Sequence, residues 1–146
     1  MSQRSGSFPI RLRGIDHVVI RCAELEPVLA FYRDVLGCTL ERTVEGIGLH
    51  QLRAGASLID LVPVGTELGG DTAPSPERFN MAHLCLRIAD PDWEGVRAHL
   101  ASHGIEWREP ARRYGADGYG RSIYLEDPEG NVVELKGEPE PAGGDA

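Results

Sequence analysis

Two ten-residue stretches of this chain overlay residue for residue at a constant offset of 66: IDHVVIRCAE at 15–24 and MAHLCLRIAD at 81–90. The overlay matches His17 with His83, Arg21 with Arg87 and Glu24 with Asp90. Each stretch alternates with the period of a strand and then runs into a segment of helical spacing. The first helix is predicted over 26–37, with Val28, Phe31, Tyr32 and Val35 on one face, and the second over 91–104, with Trp93, Val96 and Leu100. Gly37 and Gly104 stand where a left-handed residue closes a helix.

After each helix come three strand candidates: CTLERTVE, GLHQLRAG and ASLIDLVPV in the first half, IEWREPARR, RSIYLEDP and GNVVELKG in the second. The last pair in each half is joined by a short glycine-containing turn, AGAS or DPEG, which is a hairpin signal. SLIDL at 57–61 overlays NVVEL at 131–135, matching Asp60 with Glu134. The chain therefore reads as α+β: two βαβββ modules, 12–65 and 79–137, joined by a Pro/Gly-rich linker at 66–78. They form a single domain over 12–137, with flexible ends expected at 1–11 and 138–146. At 146 residues such a domain can bury one core without covalent staples.

Composition narrows the partners. A formal net charge of -8 leaves no basic face for nucleic acid. RRYGADGYGR at 112–121 is the one locally basic stretch of note. No run approaches the ~20 apolar residues of a membrane span, and the first residues lack the apolar stretch of a secretory signal. The three cysteines Cys22, Cys38 and Cys85 are unclustered and read as buried free thiols, so a cytoplasmic protein with no membrane partner is expected.

Alternation puts Ile15, His17, Val19 and Arg21 on one face of the opening strand, and Asp16, Val18, Ile20 and Cys22 on the other. The apolar face suits the helix, which leaves His17, and by the same count His83, on the opposite face. Asp60 and Glu134 sit mid-strand among aliphatic neighbours, where an unpaired carboxylate costs several kcal/mol or more. Taken singly, such a His reads as a hydrogen-bonded structural residue and such an acid as the partner of Arg21, Arg53 or Arg87. Taken as a repeated set, two imidazoles and two carboxylates meeting at a pseudo-two-fold axis suit one divalent ion: Fe, Mn, Co, Ni or Zn. Gln51 and His50 point to opposite faces of their strand, and Gln51 is assigned to the cavity side.

These residues resemble the vicinal-oxygen-chelate superfamily of glyoxalase-type lyases, epimerases, fosfomycin-resistance transferases, extradiol dioxygenases and bleomycin-binding proteins. The resemblance covers about 12–137 and is carried by GIDHVVIRC, AFYRDVLG, MAHLCLRI and SIYLEDPEGNVVEL. It implies a glyoxalase-like fold, two βαβββ modules forming a curved, incomplete barrel around a metal held by His17, His83 and Glu134, with Asp60 at the fourth position. It also implies a homodimer acting on a small-molecule substrate, with modules paired within one chain or by exchange between two. The four-residue set implies a metal-dependent lyase or isomerase resembling lactoylglutathione lyase, working next to a carbonyl through an enediolate-like intermediate, with Glu134 as base and Asp60 as its counterpart. The alternatives are a three-ligand thiol transferase or ring-cleaving dioxygenase, and a metal-free binding protein. Tyr124 matches a substrate-contacting Tyr of the fosfomycin branch. RRYGADGYGR resembles a mobile loop closing over an anionic substrate, which makes Arg121 a substrate-binding candidate.

Overall fold

The computed structural model describes residues 9, 11, 13–75, 79–89, 91–109 and 112–140. The flexible ends expected at 1–8, 10 and 141–146, the last linker residues 76–78 and the Asp90 partner of Glu24 lie outside the described residues.

Each half begins with a strand and a helix. In the first, β1 (His17–Cys22) leads into α1 (Leu25–Ala30), which widens into a π-helical turn over Phe31–Val35. In that turn the Leu36 N–H reaches back to the Phe31 carbonyl at 3.2 Å. Gly37 closes it at φ 79, the left-handed end that its sequence position predicts. In the second half, β5 (Leu84–Arg87) leads into α2 (Trp93–Ser102), and Gly104 follows at φ 69. The apolar positions of both helices enter one core: Val28, Leu29, Phe31, Tyr32 and Leu100 pack with Ile20, Leu52, Ile59, Leu61, Ile123, Leu125, Val133 and Leu135 from the strands.

The remaining strands of the first half are β2 (Thr39–Val44), β3 (Leu49–Ala54) and β4 (Ser57–Pro63). Those of the second are β6 (Trp107–Arg108), β7 (Arg113–Gly115), β8 (Gly118–Gly120), β9 (Ser122–Glu126) and β10 (Val132–Lys136). The two four-stranded sheets have equivalent orders, β1-β4-β3-β2 and β5-β10-β9-β6. In each, the opening strand runs parallel to the last and the other neighbours are antiparallel. The fold is thus α+β, two βαβββ modules in a curved arrangement that does not close into a barrel.

The structure departs from the sequence reading at four places. IEWREPARR, expected as one strand, supplies only the two residues of β6 before the chain leaves the sheet edge. RRYGADGYGR, expected as a mobile loop, holds a β-hairpin, with Tyr114 facing Tyr119 across the pair and Gly118 at φ 110 in the turn. Glu140, expected in a flexible tail, is tied down: its N–H donates to the Tyr119 carbonyl at 2.8 Å, and its carboxylate meets Arg112 at 2.6 Å. Cys22 and Cys38 are buried free thiols, whereas Cys85 is exposed, because alternation along β5 turns it away from the core with His83 and Arg87.

The modules are fastened to each other by the turn after β9. Asp127 Oδ1 accepts the N–H groups of Glu129 and Asn131 at 2.9 Å each, which shapes the DPEGN turn. Glu129 then accepts the backbone N–H groups of Ala23 and Glu24, both at 2.7 Å, at the entrance to α1. Asn80 bridges the Arg21 backbone and the Asn131 side chain. No helix among the described residues is long and apolar enough to cross a membrane.

Candidate functional site

The register builds one row of side chains across each sheet. In the first sheet Val19, Asp60, Gln51 and Arg42 stand side by side on β1, β4, β3 and β2. The corresponding row of the second sheet is Cys85, Glu134, Tyr124 and Arg108 on β5, β10, β9 and β6. The apolar neighbours of each carboxylate, Ile59 and Leu61 or Val133 and Leu135, point into the core, so alternation turns Asp60 and Glu134 to the helix-free face.

In the first row Asp60 is only 3% exposed, and Gln51 Nε2 donates to its two oxygens at 3.2 and 3.3 Å. His17 Nε2 lies 4.0 Å from Asp60 Oδ2. The other ring nitrogen, Nδ1, is 2.7 Å from Asp16 Oδ2; facing a carboxylate, Nδ1 is the donor, which leaves the Nε2 lone pair directed toward Asp60. The Asp16 hydrogen bond, followed by the Asp60 charge, raises the His17 pKa above its ordinary value. Asp16, expected on the apolar face, instead turns its side chain to His17 at the start of β1.

In the second row Glu134 is 5% exposed. Ser122 Oγ donates to its Oε2 at 2.7 Å, and His83 Nε2 is 3.2 Å from its Oε1. Burial alone would raise the Glu134 carboxyl. Hydrogen bonds from Ser122 and Tyr124, the nearby His83 and a hydrogen bond from Cys85 outweigh it and hold the pKa below the usual value. The Tyr124 hydroxyl is shifted up, first by burial and then by Glu134. Its ring meets His83 edge-on at 5.6 Å, and the Arg108 guanidinium lies 5.0 Å above it. A cavity of ≈ 580 Å³ borders the outer end of this row at Tyr124 and Arg108 and extends away from Glu134 toward Ile105, Trp107 and Pro128.

The sequence-based candidates thus fall into two clusters, His17 with Asp60 and Gln51, and His83 with Glu134 and Tyr124. The two do not meet within one chain: β1 and β5 edge separate sheets, and among the described residues no three His, Cys, Asp or Glu side chains gather around one point. Arg121 does not join either cluster. It precedes β9 on the helix side, doubly bonded to Glu109 at 2.7 and 2.8 Å and stacked on Trp93 of α2 at 4.9 Å. Asp16, Ser122, Arg42 and Arg108 join the clusters without having been singled out from the sequence.

Each cluster suits one side of a divalent ion. Two ligands at ~2.1 Å from one ion are about 3–3.4 Å apart. The His83–Glu134 pair already stands at 3.2 Å, and the His17–Asp60 pair at 4.0 Å needs only a small closure. Imidazole nitrogen and carboxylate oxygen are the donor types such ions take.

The paired βαβββ topology with two equivalent imidazole–carboxylate faces defines a glyoxalase-like class of fold. Residues 14–135 match the Glyoxalase/Bleomycin resistance protein/Dioxygenase superfamily, and the chain belongs to that family. It is 34% identical over 128 residues to the glyoxalase domain-containing protein RDO1 of Mycosarcoma maydis, covering 86% of this chain and 69% of that one. It is 31% identical over 123 residues to virulence protein STM3117 of Salmonella typhimurium, covering 83% and 81%. Among solved structures, an integron cassette protein from the mobile metagenome of V. cholerae superposes with a TM-score of 0.69 at 26% identity, covering 89% of this chain and 98% of that one. Lactoylglutathione lyase from Agrobacterium tumefaciens, at 21% identity, TM-score 0.58 and coverage of 85% and 92%, shares the fold.

Proposed function

We propose that the protein is a metal-dependent lyase or isomerase that moves a proton next to a carbonyl, with His17, Asp60, His83 and Glu134 as the ligands of one divalent ion. The observation that carries this reading is the equivalence of the two half-sites: imidazole, buried carboxylate and a polar neighbour recur at matching register in both sheets. Because each half-site lies open on its own sheet, with the His17 and His83 side chains 46% and 42% exposed, the site is completed by a second copy, His17 and Asp60 of one chain facing His83 and Glu134 of the other. A homodimer then holds two ions.

The chemistry that an ion held by these residues would supply is Lewis acidity, which would make a C–H next to a substrate carbonyl more acidic. The chain's own residues do the rest. Ser122 holds Glu134 Oε2, so Oε1 is the oxygen that would meet the ion beside His83 and, once displaced from it, would take and return a proton. Tyr124, in register with Glu134 and interacting with its carboxylate, is the hydroxyl on the same face that would meet a substrate oxygen. Gln51 holds both oxygens of Asp60 in place on the opposite side.

The test is elemental analysis of purified wild-type, His17→Ala and Glu134→Gln protein. The reading expects about one ion per chain in the wild type and loss in both variants; a metal-free wild type, or unchanged content in both variants, overturns it.

A three-ligand version is favoured by one feature, the 4.0 Å gap at Asp60 together with its two hydrogen bonds from Gln51. In that version Asp60 positions His17 without binding the ion, and Asp60→Asn retains full metal content.

A further inference from the structure

Both rows end in an arginine. Arg42 lies in register with Gln51 on β2, and Arg108 lies in register with Tyr124 on β6, so each is two strands away from its carboxylate. At about 4.8 Å per strand this is roughly 10 Å across the same face. Each touches the middle member of its row: Arg42 Nη1 is 3.4 Å from Gln51 Oε1, and Arg108 covers the Tyr124 ring at 5.0 Å.

The chain spends its acids elsewhere. Arg33, Arg53, Arg87, Arg97, Arg112 and Arg121 all pair with carboxylates, although the chain carries eight more acids than bases. Among the described residues neither Arg42 nor Arg108 has a carboxylate within ion-pair distance, and a third cation, Arg113 on β7, also reaches the Tyr124 hydroxyl. Among the described residues Arg21 too lacks a carboxylate and is bonded to the Thr72 carbonyl instead; what sets Arg42 and Arg108 apart is their place at the two equivalent ends of the candidate site, where an external anion can be held.

We infer that Arg42 and Arg108 are the two arms of a clamp for a small organic dianion whose anionic groups flank the reacting carbon. The inference rests on the proposed function only for bringing the two rows to one centre; with the carboxylates there, the arginines stand on opposite sides of it. Each guanidinium is able to swing inward over its row and take one carboxylate in a two-pronged hydrogen bond. A substrate with one anionic group fills one arm and leaves the other in water.

Glutarate and pentanoate, which share a five-carbon chain and differ by one carboxylate, are the probes. Titration calorimetry on the full-length protein is expected to show glutarate binding at least about 10-fold more tightly than pentanoate. Arg42→Gln and Arg108→Gln each reduce glutarate to the pentanoate level, while Arg33→Gln on the helix side leaves the preference intact. Equal affinity for the two probes, no glutarate binding at millimolar concentration, loss in only one of the two site variants, or equal loss in Arg33→Gln overturns the clamp. Metal content measured on the same samples separates the two ideas. An arginine-dependent glutarate preference in a protein that holds no ion supports the clamp and sinks the proposed function, and a bound ion without that preference does the reverse.

Discussion

The Tyr32 hydroxyl, in the π-helical turn that follows α1, donates a 3.0 Å hydrogen bond to Asp127 Oδ2 in the turn between β9 and β10. Both groups are buried, Tyr32 completely, so the contact joins the helix of one module to the sheet of the other inside the shared core. The π-helical turn serves this contact. It brings Phe31 and Tyr32, adjacent in sequence, to buried positions with their rings edge-on at 5.1 Å.

Replacing Tyr32 by Phe keeps the ring and removes only the hydroxyl. A hydrogen bond to a charged acceptor contributes about 1.5–3 kcal/mol. Asn131 Nδ2 continues to donate to the same oxygen at 2.7 Å, so the loss falls at the lower end. Urea unfolding of Tyr32→Phe is expected to show that decrease with an unchanged denaturant slope; unaltered stability would mean that the bond fastens nothing.

Alkaline pH loosens the same junction. Burial, with help from the Glu129 and Asp127 carboxylates, pushes the Cys22 thiol from 9.0 to about 12. A group whose folded pKa is raised contributes stability that is fully present below its unfolded pKa and is lost as pH climbs toward the folded one. The window here is therefore pH 9 to about 12, with a slope of about 1.4 kcal/mol per pH unit from this group. The Tyr32 hydroxyl, also shifted up by burial, adds to the decline above its ordinary value of 10.0. Urea midpoints at several alkaline pH values should fall less steeply in Cys22→Ala than in the wild type, and parallel curves would refute the assignment.

Asp16 gives His17 a carboxylate at the preceding position, where the second module has Ala82 before His83. Removing a carboxylate that orients a metal-binding imidazole typically weakens metal affinity by about 10–100-fold. Asp16→Ala is expected to do so in competition with a chromogenic chelator. Nitrogen NMR of the imidazole should show the His17 proton no longer confined to Nδ1. Unaltered affinity with an unaltered tautomer would assign the Asp16 contact to the surface alone.

Ser122 is 1% exposed and spends its hydroxyl on Glu134. Ser122→Ala strips one donor from a buried carboxylate, at a cost of about 1–3 kcal/mol in stability. Ser122→Thr, which keeps the hydroxyl, recovers the metal affinity lost in Ser122→Ala if the role is to hold Glu134 in place; equal affinity in all three proteins would rule that role out.

The module architecture was legible because it is written twice. An offset of 66 aligns His17 with His83, and strand alternation then turns both away from the helices. Asp60 and Glu134 were legible for the same reason. The arginines were not, because a β-bulge between Leu40 and Arg42 shifts the alternation on β2, and only the shifted register sets Arg42 beside Gln51. Arg108 was hidden in a presumed long strand that breaks off after two residues. The hairpin at 113–120 has its glycines where Lys136 lies beneath it: a Cβ at Gly115 or Gly120 would come within 2.9 or 2.7 Å of that side chain. Glycine required by packing reads, in sequence, like glycine of a loop. Arg121 was assigned to the site because it borders that stretch, but Glu109 and Trp93 hold it on the helix side.

The central claim is that each site is made by two copies, and mixed dimers test it most directly. His17→Ala and His83→Ala chains carrying different tags, co-expressed and purified through both tags, pair so that one of the two sites has neither histidine and the other has both. Elemental analysis of that heterodimer is predicted to find one ion per dimer, although neither variant alone retains metal. A heterodimer without metal would contradict the account, because sites built within single chains would both be broken.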